Sequence, residues 1–291
     1  MQLAELLPKF AKKHRIIEIL CRMGLQNKLC KVRFNGDSIA IINLMDPEPR
    51  NVFIRGEFET HFFEIAKFFL PNQGVLFDLG ANVGFCSFGM LPTNPECHYH
   101  LFEANPKMIE LLKHSIMHHK DYIIKLNHAC VTDKKGTTKF CITDRQSGQS
   151  HVATSEEKGI PITNLKLDDY CHKNDIRQVD FAKIDLEGHE HKALLGWQNC
   201  LQQKTVKAIY IETIPENQNR YQLSTNETLI YLESFGYKMY LCKDDDFKNF
   251  PHNTEPLEII LKRGSLKLGS FKAKDYPMNY STDILALASN F

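Results

Sequence analysis

The chain has 291 residues, of which 43% are hydrophobic and 24% charged, a composition typical of a folded globular protein. Its formal net charge of +1 gives no general attraction to nucleic acid, so a nucleic-acid partner is disfavoured. No run of about 18 apolar residues predicts a transmembrane segment, and nothing at the N-terminus resembles a signal peptide. Nine cysteines stand without a C-x-x-C pair, which predicts a reducing, cytoplasmic setting.

The beginning of the chain is basic. Residues 1–33 contain eight lysines and arginines against two glutamates, and residues 8–23 have the apolar spacing of a helix with Pro8 in its first turn. The simpler interpretation is a helix that packs on the protein and turns a solvated basic face outward. Weak contact of residues 8–33 with a membrane surface or a macromolecular partner is the alternative.

An N-terminal appendage is predicted before the main domain. Residues 31–54 contain two alternating stretches around the turn at 35–37, which is a hairpin signal. Residues 56–70 carry one apolar face and predict a helix. The turn at 71–74 then separates the appendage, residues 1–70, from a main domain at residues 71–291.

Short apolar strands alternate with helical stretches after residue 74. This rhythm predicts a doubly wound α/β fold with a mostly parallel sheet and helices on both faces. Two polar stretches, 144–159 and 243–255, are predicted to be long loops that shape an acceptor pocket. Strands are predicted at 75–77, 98–102, 123–130, 181–184 and 206–211, and helices at 106–119, 190–196 and 225–235.

A glycine-rich turn follows the first of these strands, with the sequence DLGANVG at residues 78–84. Gly80 permits positive φ and close approach of the backbone to a ligand, and Gly84 lets the next helix start near the strand. A dinucleotide fingerprint needs a third glycine, and Asp78 would repel a pyrophosphate. The carboxylate suits a cofactor that carries an ammonium and a sulfonium, so a nicotinamide-dependent dehydrogenase is disfavoured.

Glu103 ends the next strand. An acid at this position can accept two hydrogen bonds from the 2′,3′-diol of a ribose. The alternative is a surface acid that the dipole of the following helix stabilises. Together with Asp78 and Gly80, the ribose role is favoured.

Four segments now resemble the FkbM-type methyltransferase family: DLGANVG at 78–84, FEANP at 102–106, LDD at 167–169, and KIDLEGHE at 183–190. The resemblance extends over roughly residues 56–215. It implies a class I methyltransferase (Rossmann-like) fold, whose seven-stranded sheet would contain an antiparallel strand at residues 283–286. It further implies S-adenosylmethionine as the cofactor and O-methylation of a hydroxyl on a sugar, glycan or small metabolite.

The resemblance also implies cofactor-binding residues. They are Asp78, Gly80, Asn82, Gly84 and Glu103, with Glu59 and Ser87 as weaker additions. Asp185, at the end of a later strand, is a further candidate for fixing the methionine part of the cofactor.

Three catalytic interpretations remain open at Asp185, Glu187 and His189. Asp185 can fix the methionine or the acceptor, and His189 can act as the general base. The third interpretation is a divalent metal held by Asp185, Glu187 and Glu212, since oxygen ligands suit Mg²⁺; a metal is not favoured. Two rival functions also remain: a nucleic-acid or protein methyltransferase that uses the basic N-terminal segment, and a non-catalytic S-adenosylmethionine-binding module.

Overall fold

The computed structural model describes residues 13–144, 146–243, 246, 255–261 and 264–289. The N-terminal part consists of α1 (Lys13–Arg22), β1 (Leu29–Phe34), β2 (Ser38–Asn43), α2 (Pro47–Arg55) and α3 (Thr60–Phe69). β1 and β2 form the predicted antiparallel hairpin. The predicted first helix is present from Lys13 onward, and its earlier residues, with Pro8, lie outside the described residues.

Helix α2 was not predicted from the apolar pattern. It begins because Asp46 accepts a hydrogen bond from the Glu48 N–H, and Pro47 occupies the first turn. It ends at Gly56, whose φ is 76°. The predicted helix at 56–70 therefore starts later, at Thr60.

The main domain has the predicted strand and helix rhythm. Its elements are β3 (Val75–Leu79), α4 (Phe85–Met90), β4 (His98–Glu103), α5 (Pro106–Ile116), β5 (Ile123–His128), β6 (Cys130–Val131), β7 (Thr137–Cys141), β8 (His151–Val152), β9 (Ile160–Leu165), α6 (Leu167–Lys173), β10 (Val179–Ile184), α7 (Glu190–Leu195), α8 (Gln198–Gln202), β11 (Val206–Thr213), α9 (Pro215–Asn219), α10 (Thr225–Ser234), β12 (Tyr237–Leu241), β13 (Glu255–Leu261), β14 (Gly264–Phe271) and β15 (Thr282–Ala288).

The large sheet has the order β13-β14-β12-β15-β11-β10-β3-β4-β5 in the described part of the chain. Strands β11, β10, β3, β4 and β5 are parallel, and β15 lies antiparallel between β11 and β12. The predicted antiparallel strand at 283–286 is confirmed. The predicted count of seven is corrected to nine, because the β13–β14 hairpin extends the edge beyond β12.

The sheet separates two apolar clusters, which confirms the doubly wound α/β fold. Alternate residues of one strand belong to different clusters: Leu76 packs with one and Phe77 with the other. The first cluster includes Ile17, Phe34 and Phe62, so the N-terminal elements pack on one face of the sheet. The apolar core thus includes residues from both sides of the predicted boundary between residues 70 and 71. The division into an appendage and a main domain stays a prediction.

The stretch 144–159 is not one long loop, which corrects that expectation. Residues 147–149 form a 3₁₀ turn and β8 pairs with β7, in a four-stranded sheet of order β6-β9-β7-β8. Strands of two residues are too short to show alternation in a sequence. The second predicted loop, 243–255, lies largely outside the described residues. No helix in the described ranges is long and apolar enough to cross a bilayer, and all nine cysteines are free.

Candidate cofactor and active site

A cavity of about 850 Å³ opens at the carboxyl ends of the central strands. Gly80 follows β3, Glu103 ends β4, Asp185 follows β10 and Glu212 lies near the end of β11, and all four line it. The carboxyl ends of parallel strands are where ligands bind in open α/β sheets. The volume is that of a small-molecule site.

The structure brings together most of the site residues expected from the sequence. The cavity wall includes Glu59, Gly80, Asn82, Glu103, Asp185, Glu187, His189 and Glu212. Asp78, Gly84 and Ser87 do not line it.

Gly80 lies where the turn after β3 contacts the turn after β10. Its φ is 82°, and a Cβ at this position would lie 1.8 Å from the backbone oxygen of Asp185. The N–H groups of Gly80 and Ala81 both donate to the Phe102 carbonyl at 3.0 Å. The glycine is therefore required by the turn after β10, and its positive φ agrees with the tight turn expected from the sequence. Gly80 also lines the cavity, so close approach of its backbone to a ligand stays a prediction.

Asp78 lies beneath the cavity wall and is fully buried. Its carboxylate accepts a hydrogen bond from Ser87 Oγ at 2.6 Å, which ties β3 to α4, and burial raises the pKa of Asp78. Asp78 does not line the cavity, and the contact between its carboxylate and the charged part of a cofactor stays a prediction. Gly84, with φ of 85°, allows α4 to begin, because a Cβ there would lie 2.3 Å from the Phe88 ring.

Glu103 is 7% exposed and held from two sides. Its Oε2 accepts from the Asn82 N–H and its Oε1 from the Asn105 N–H, each at 2.7 Å. Burial raises its pKa to about 7, against the lowering effect of these backbone donors. A carboxylate can accept about four hydrogen bonds, and Glu103 lines the cavity, so its carboxylate keeps capacity for a ligand.

Three carboxylates cluster near the ends of β10 and β11. One oxygen from each of Asp185, Glu187 and Glu212 lies within 4.8 Å of the others. Lys183 Nζ donates to Asp185 Oδ2 at 2.7 Å, and Asn217 Nδ2 donates to Glu187 Oε2 at 2.7 Å. Burial and the neighbouring Asp185 raise the pKa of Glu187 to about 8 and also raise that of Glu212.

His189 is buried and lines the same cavity. Its Nε2 lies 3.1 Å from Thr132 Oγ1, and its Nδ1 has no hydrogen-bond partner among the described residues. Burial lowers its pKa to about 4. The ring is therefore neutral near physiological pH, but it is a weak base.

One side of the cavity is formed by the start of α2, which sequence reasoning missed, and by part of the stretch 144–159, which was predicted to shape a pocket. The Ser147 N–H donates to Asp46 Oδ2 at 3.0 Å, and Ser147 Oγ donates to Asn82 Oδ1 at 2.9 Å. A Cβ on Gly148 would lie 2.6 Å from Glu48 Oε2. Residues 146–150, which we call the cover segment, thus close against the start of α2. The Asp46-Pro47 pair is a helix-start signal that could have indicated this helix.

The cavity wall is acidic. Its described charged residues are Glu48, Glu59, Glu103, Asp185, Glu187, Glu212, Glu216 and Arg220. Burial raises the pKa of several of these carboxyl groups, among them Glu59, Glu103 and Glu187, so part of the wall is protonated near neutral pH.

The chain matches a known protein family and is similar to a curated protein. Residues 78–239 match the family model described as the methyltransferase FkbM domain. Hexuronic acid methyltransferase AglP of Haloferax volcanii is 24% identical over 135 residues, which cover 45% of this chain and 53% of the relative. The chain thus aligns with about half the length of this curated relative.

Two solved structures show distant likeness. Precorrin-6y C5,15-methyltransferase from Geobacter metallireducens has a TM-score of 0.41 and 13% identity, covering 79% of this chain and 89% of that one. An O-methyltransferase from Bacillus cereus, solved with SAH, has a TM-score of 0.38 and 11% identity, covering 98% and 93%. The family match spans more than half of the sequence and confirms the predicted resemblance: the chain belongs to the FkbM methyltransferase domain family.

Proposed function

We propose that the chain is an S-adenosylmethionine-dependent methyltransferase that methylates a hydroxyl of a sugar, glycan or small metabolite. The observation that carries this proposal is the position of Glu103. In a chain of this family, a buried carboxylate that ends β4 lines a cavity beside the Gly80 turn. Such a carboxylate is suited to the ribose diol of a nucleoside.

The residues of the cavity fit this cofactor. Glu103 would hold the ribose, and Asn82 would border the nucleoside with the cover segment. Asp185 and Glu59 would face the positively charged methionine part, and Gly80 would keep the turn between them compact. Asp78, Gly84 and Ser87 would act by fixing this turn from beneath. When bound, the cofactor supplies an electrophilic methyl group on a sulfonium.

A hydroxyl acceptor must lose its proton during methyl transfer, which calls for a base in the wall. We assign this role to Glu187, because its pKa of about 8 lies close to neutral and Asn217 fixes its carboxylate. A base is most effective when its pKa lies near the working pH. His189, with a pKa of about 4, is then a wall residue that positions the turn after β10.

Asp185 is assigned to positioning. Its ion pair with Lys183 already places a cation beside the carboxylate cluster. This pair reduces the need for a divalent metal at Asp185, Glu187 and Glu212, and the proposal includes none there.

A sugar acceptor is supported by the similarity to a hexuronic acid methyltransferase. The described lining residues include one arginine and no lysine, so the wall offers few partners for a phosphate backbone and supports a small acceptor over nucleic acid. Arg220 projects into this wall and donates to the Glu187 backbone oxygen at 3.1 Å. It is the group best placed to meet an acidic acceptor.

The test is incubation of the full chain with S-adenosylmethionine and separate pools of glycans, small metabolites, RNA and protein. We expect a mass gain of one CH₂ unit on a hydroxyl in the first two pools, with much less product from Glu187→Gln. Methylation confined to RNA or protein would contradict the acceptor class. Binding of the cofactor without methylation in any pool would favour the non-catalytic module.

A further inference from the structure

Cys141, His151 and Glu157 form a second cluster of potential metal ligands, at the small sheet. Cys141 and His151 are directly opposite each other on β7 and β8. Glu157 follows in the turn after β8. One potential ligand atom from each of the three residues lies within 4.8 Å of the other two.

The hydrogen bonds of His151 define which ring nitrogen faces the cluster. Nδ1 lies 2.9 Å from the backbone oxygen of Gln149. A carbonyl oxygen only accepts hydrogen bonds, so Nδ1 carries the proton. Nε2 lies 3.1 Å from Glu157 Oε1, which as a carboxylate also only accepts. Because Nδ1 carries the proton, Nε2 and Oε1 would face each other with lone pairs. This contact is favourable only when Nε2 is also protonated or a metal ion lies between the two atoms.

The other ligand groups are also fixed in place. Glu157 Oε2 accepts from the Thr154 N–H and from Thr154 Oγ1, both at 2.8 Å, which leaves Oε1 turned toward His151. Cys141 is half-buried, and its Sγ lies 3.1 Å from the Lys158 oxygen. In metal sites, the ligating histidine usually donates its other ring N–H to an acceptor such as a carbonyl, and the ligating carboxylate accepts hydrogen bonds of its own. His151 and Glu157 have this arrangement.

The chemistry of the set indicates zinc. Thiolate, imidazole and carboxylate are the three zinc ligand types, with bonds of about 2.0–2.3 Å. Two ligands at about 2.0–2.2 Å and a tetrahedral angle lie about 3.3–3.5 Å apart, so the 3.1 Å between His151 Nε2 and Glu157 Oε1 needs to widen by only a few tenths of an ångström on binding. Mg²⁺ prefers hard oxygen ligands, so a site with a cysteine sulfur does not suit it.

We propose that Cys141, His151 and Glu157 bind one Zn²⁺ ion, with water at the fourth position. Binding displaces the thiol proton to solvent and forms a sulfur–metal bond. His151 also lines the large cavity, so the ion would fasten β7, β8 and the following turn into one rigid wall. The proposal does not depend on methyltransferase activity.

Cobalt titration of the full chain tests this site. Protein freed of metal by a chelator is titrated with Co²⁺, and Zn²⁺ is then added. We expect one equivalent of Co²⁺ to produce a thiolate-to-cobalt charge-transfer band that Zn²⁺ abolishes. Cys141→Ser should lose the band and weaken Zn²⁺ binding by more than about 100-fold. Cys200→Ser, which changes the other half-buried thiol, should keep both.

A second variant guards against misfolding of the first. Glu157→Gln keeps an oxygen for the Thr154 donors but removes the anionic ligand, so it should fold and bind Zn²⁺ more weakly. Zn²⁺ should raise the thermal midpoint of the wild type and raise it less in this variant. Folded wild-type protein that gives no thiolate band would overturn the proposal, as would a band that survives in Cys141→Ser. A plain His151–Glu157 ion pair, or metal binding only at Asp185, Glu187 and Glu212, would give the first of these results.

Discussion

Glu103 shows how single residues prepare this cavity. Two backbone N–H groups hold its carboxylate before any ligand arrives, and such preorganisation strengthens binding because little ordering remains to be done. Gly80 contributes in another way, by giving space to the backbone oxygen of Asp185. The cavity therefore depends on the contact between the turns after β3 and β10.

Gly80→Ala should destabilise the protein strongly. The new Cβ would overlap the Asp185 oxygen at 1.8 Å, and a positive φ alone costs an ordinary residue about 1–3 kcal/mol. Gly24→Ala is the matched control, because its φ is 72° but no atom lies within 4 Å of its Cβ position. Thermal unfolding should show a much larger drop for Gly80→Ala. Equal drops would mean that the turn contact is unimportant.

Glu187→Gln should lower kcat by about 10²–10⁴-fold, because the base is removed, while affinity for S-adenosylhomocysteine changes little. The wild-type rate should rise as pH approaches 8, where Glu187 loses its proton. The variant should lack this rise. If His189→Gln abolished the rise instead, the base would be His189.

The cover segment and α2 show what whole elements add. The Asp46 carboxylate accepts from the Glu48 N–H at the start of α2 and from the Ser147 N–H in the cover segment. Ser147 in turn contacts Asn82. One acid thus links a helix start to the cavity wall across a distance of 101 residues in the chain.

Asp46→Ala should therefore lose about 1 kcal/mol of stability as a helix cap and also weaken binding of S-adenosylhomocysteine. Ser224→Ala is the matched control, since Ser224 caps α10 and does not line the cavity. The control should lose similar stability without a change in affinity, measured by calorimetry. Equal affinity in both variants would show that the cover segment does not depend on Asp46.

The parts of the fold that sequence could predict are those with local signals. The β3 turn, the Asn105-Pro106 start of α5 and the strand-end position of Glu103 all follow from neighbouring residues. The contacts of Ser147 with Asp46 and Asn82 join distant segments and left no local pattern. The burial of Asp78 was equally invisible, because a strand-end acid can point toward the cavity or toward the following helix, and Ser87 decides between them.

At the scale of the whole molecule, the N-terminal elements and the main sheet share one apolar cluster. Carboxyl groups with raised pKa values line the cavity at the carboxyl ends of the strands. Glu103, at about 7, and Glu187, at about 8, keep protons in the folded state that the unfolded chain releases near its ordinary pKa of 4.5.

Stability should consequently fall between about pH 6.5 and pH 8. In this range the folded state binds more protons than the unfolded state, so the free energy of unfolding decreases as pH rises. Buried histidines such as His100 and His189, with pKa values of about 4, affect stability mainly below their ordinary value of 6.5. The urea midpoint should drop across this range, and drop less in Glu187→Gln. A midpoint that rises would contradict the assignment.

The most direct test of the cofactor site is calorimetry with S-adenosylhomocysteine and NAD on the wild type, Glu103→Gln and the control Glu110→Gln, which changes an exposed glutamate on α5. We predict that S-adenosylhomocysteine binds the wild type and the control equally, binds Glu103→Gln about tenfold or more weakly, and that NAD does not bind. Binding of NAD alone, or undiminished binding of S-adenosylhomocysteine by folded Glu103→Gln, would contradict the account.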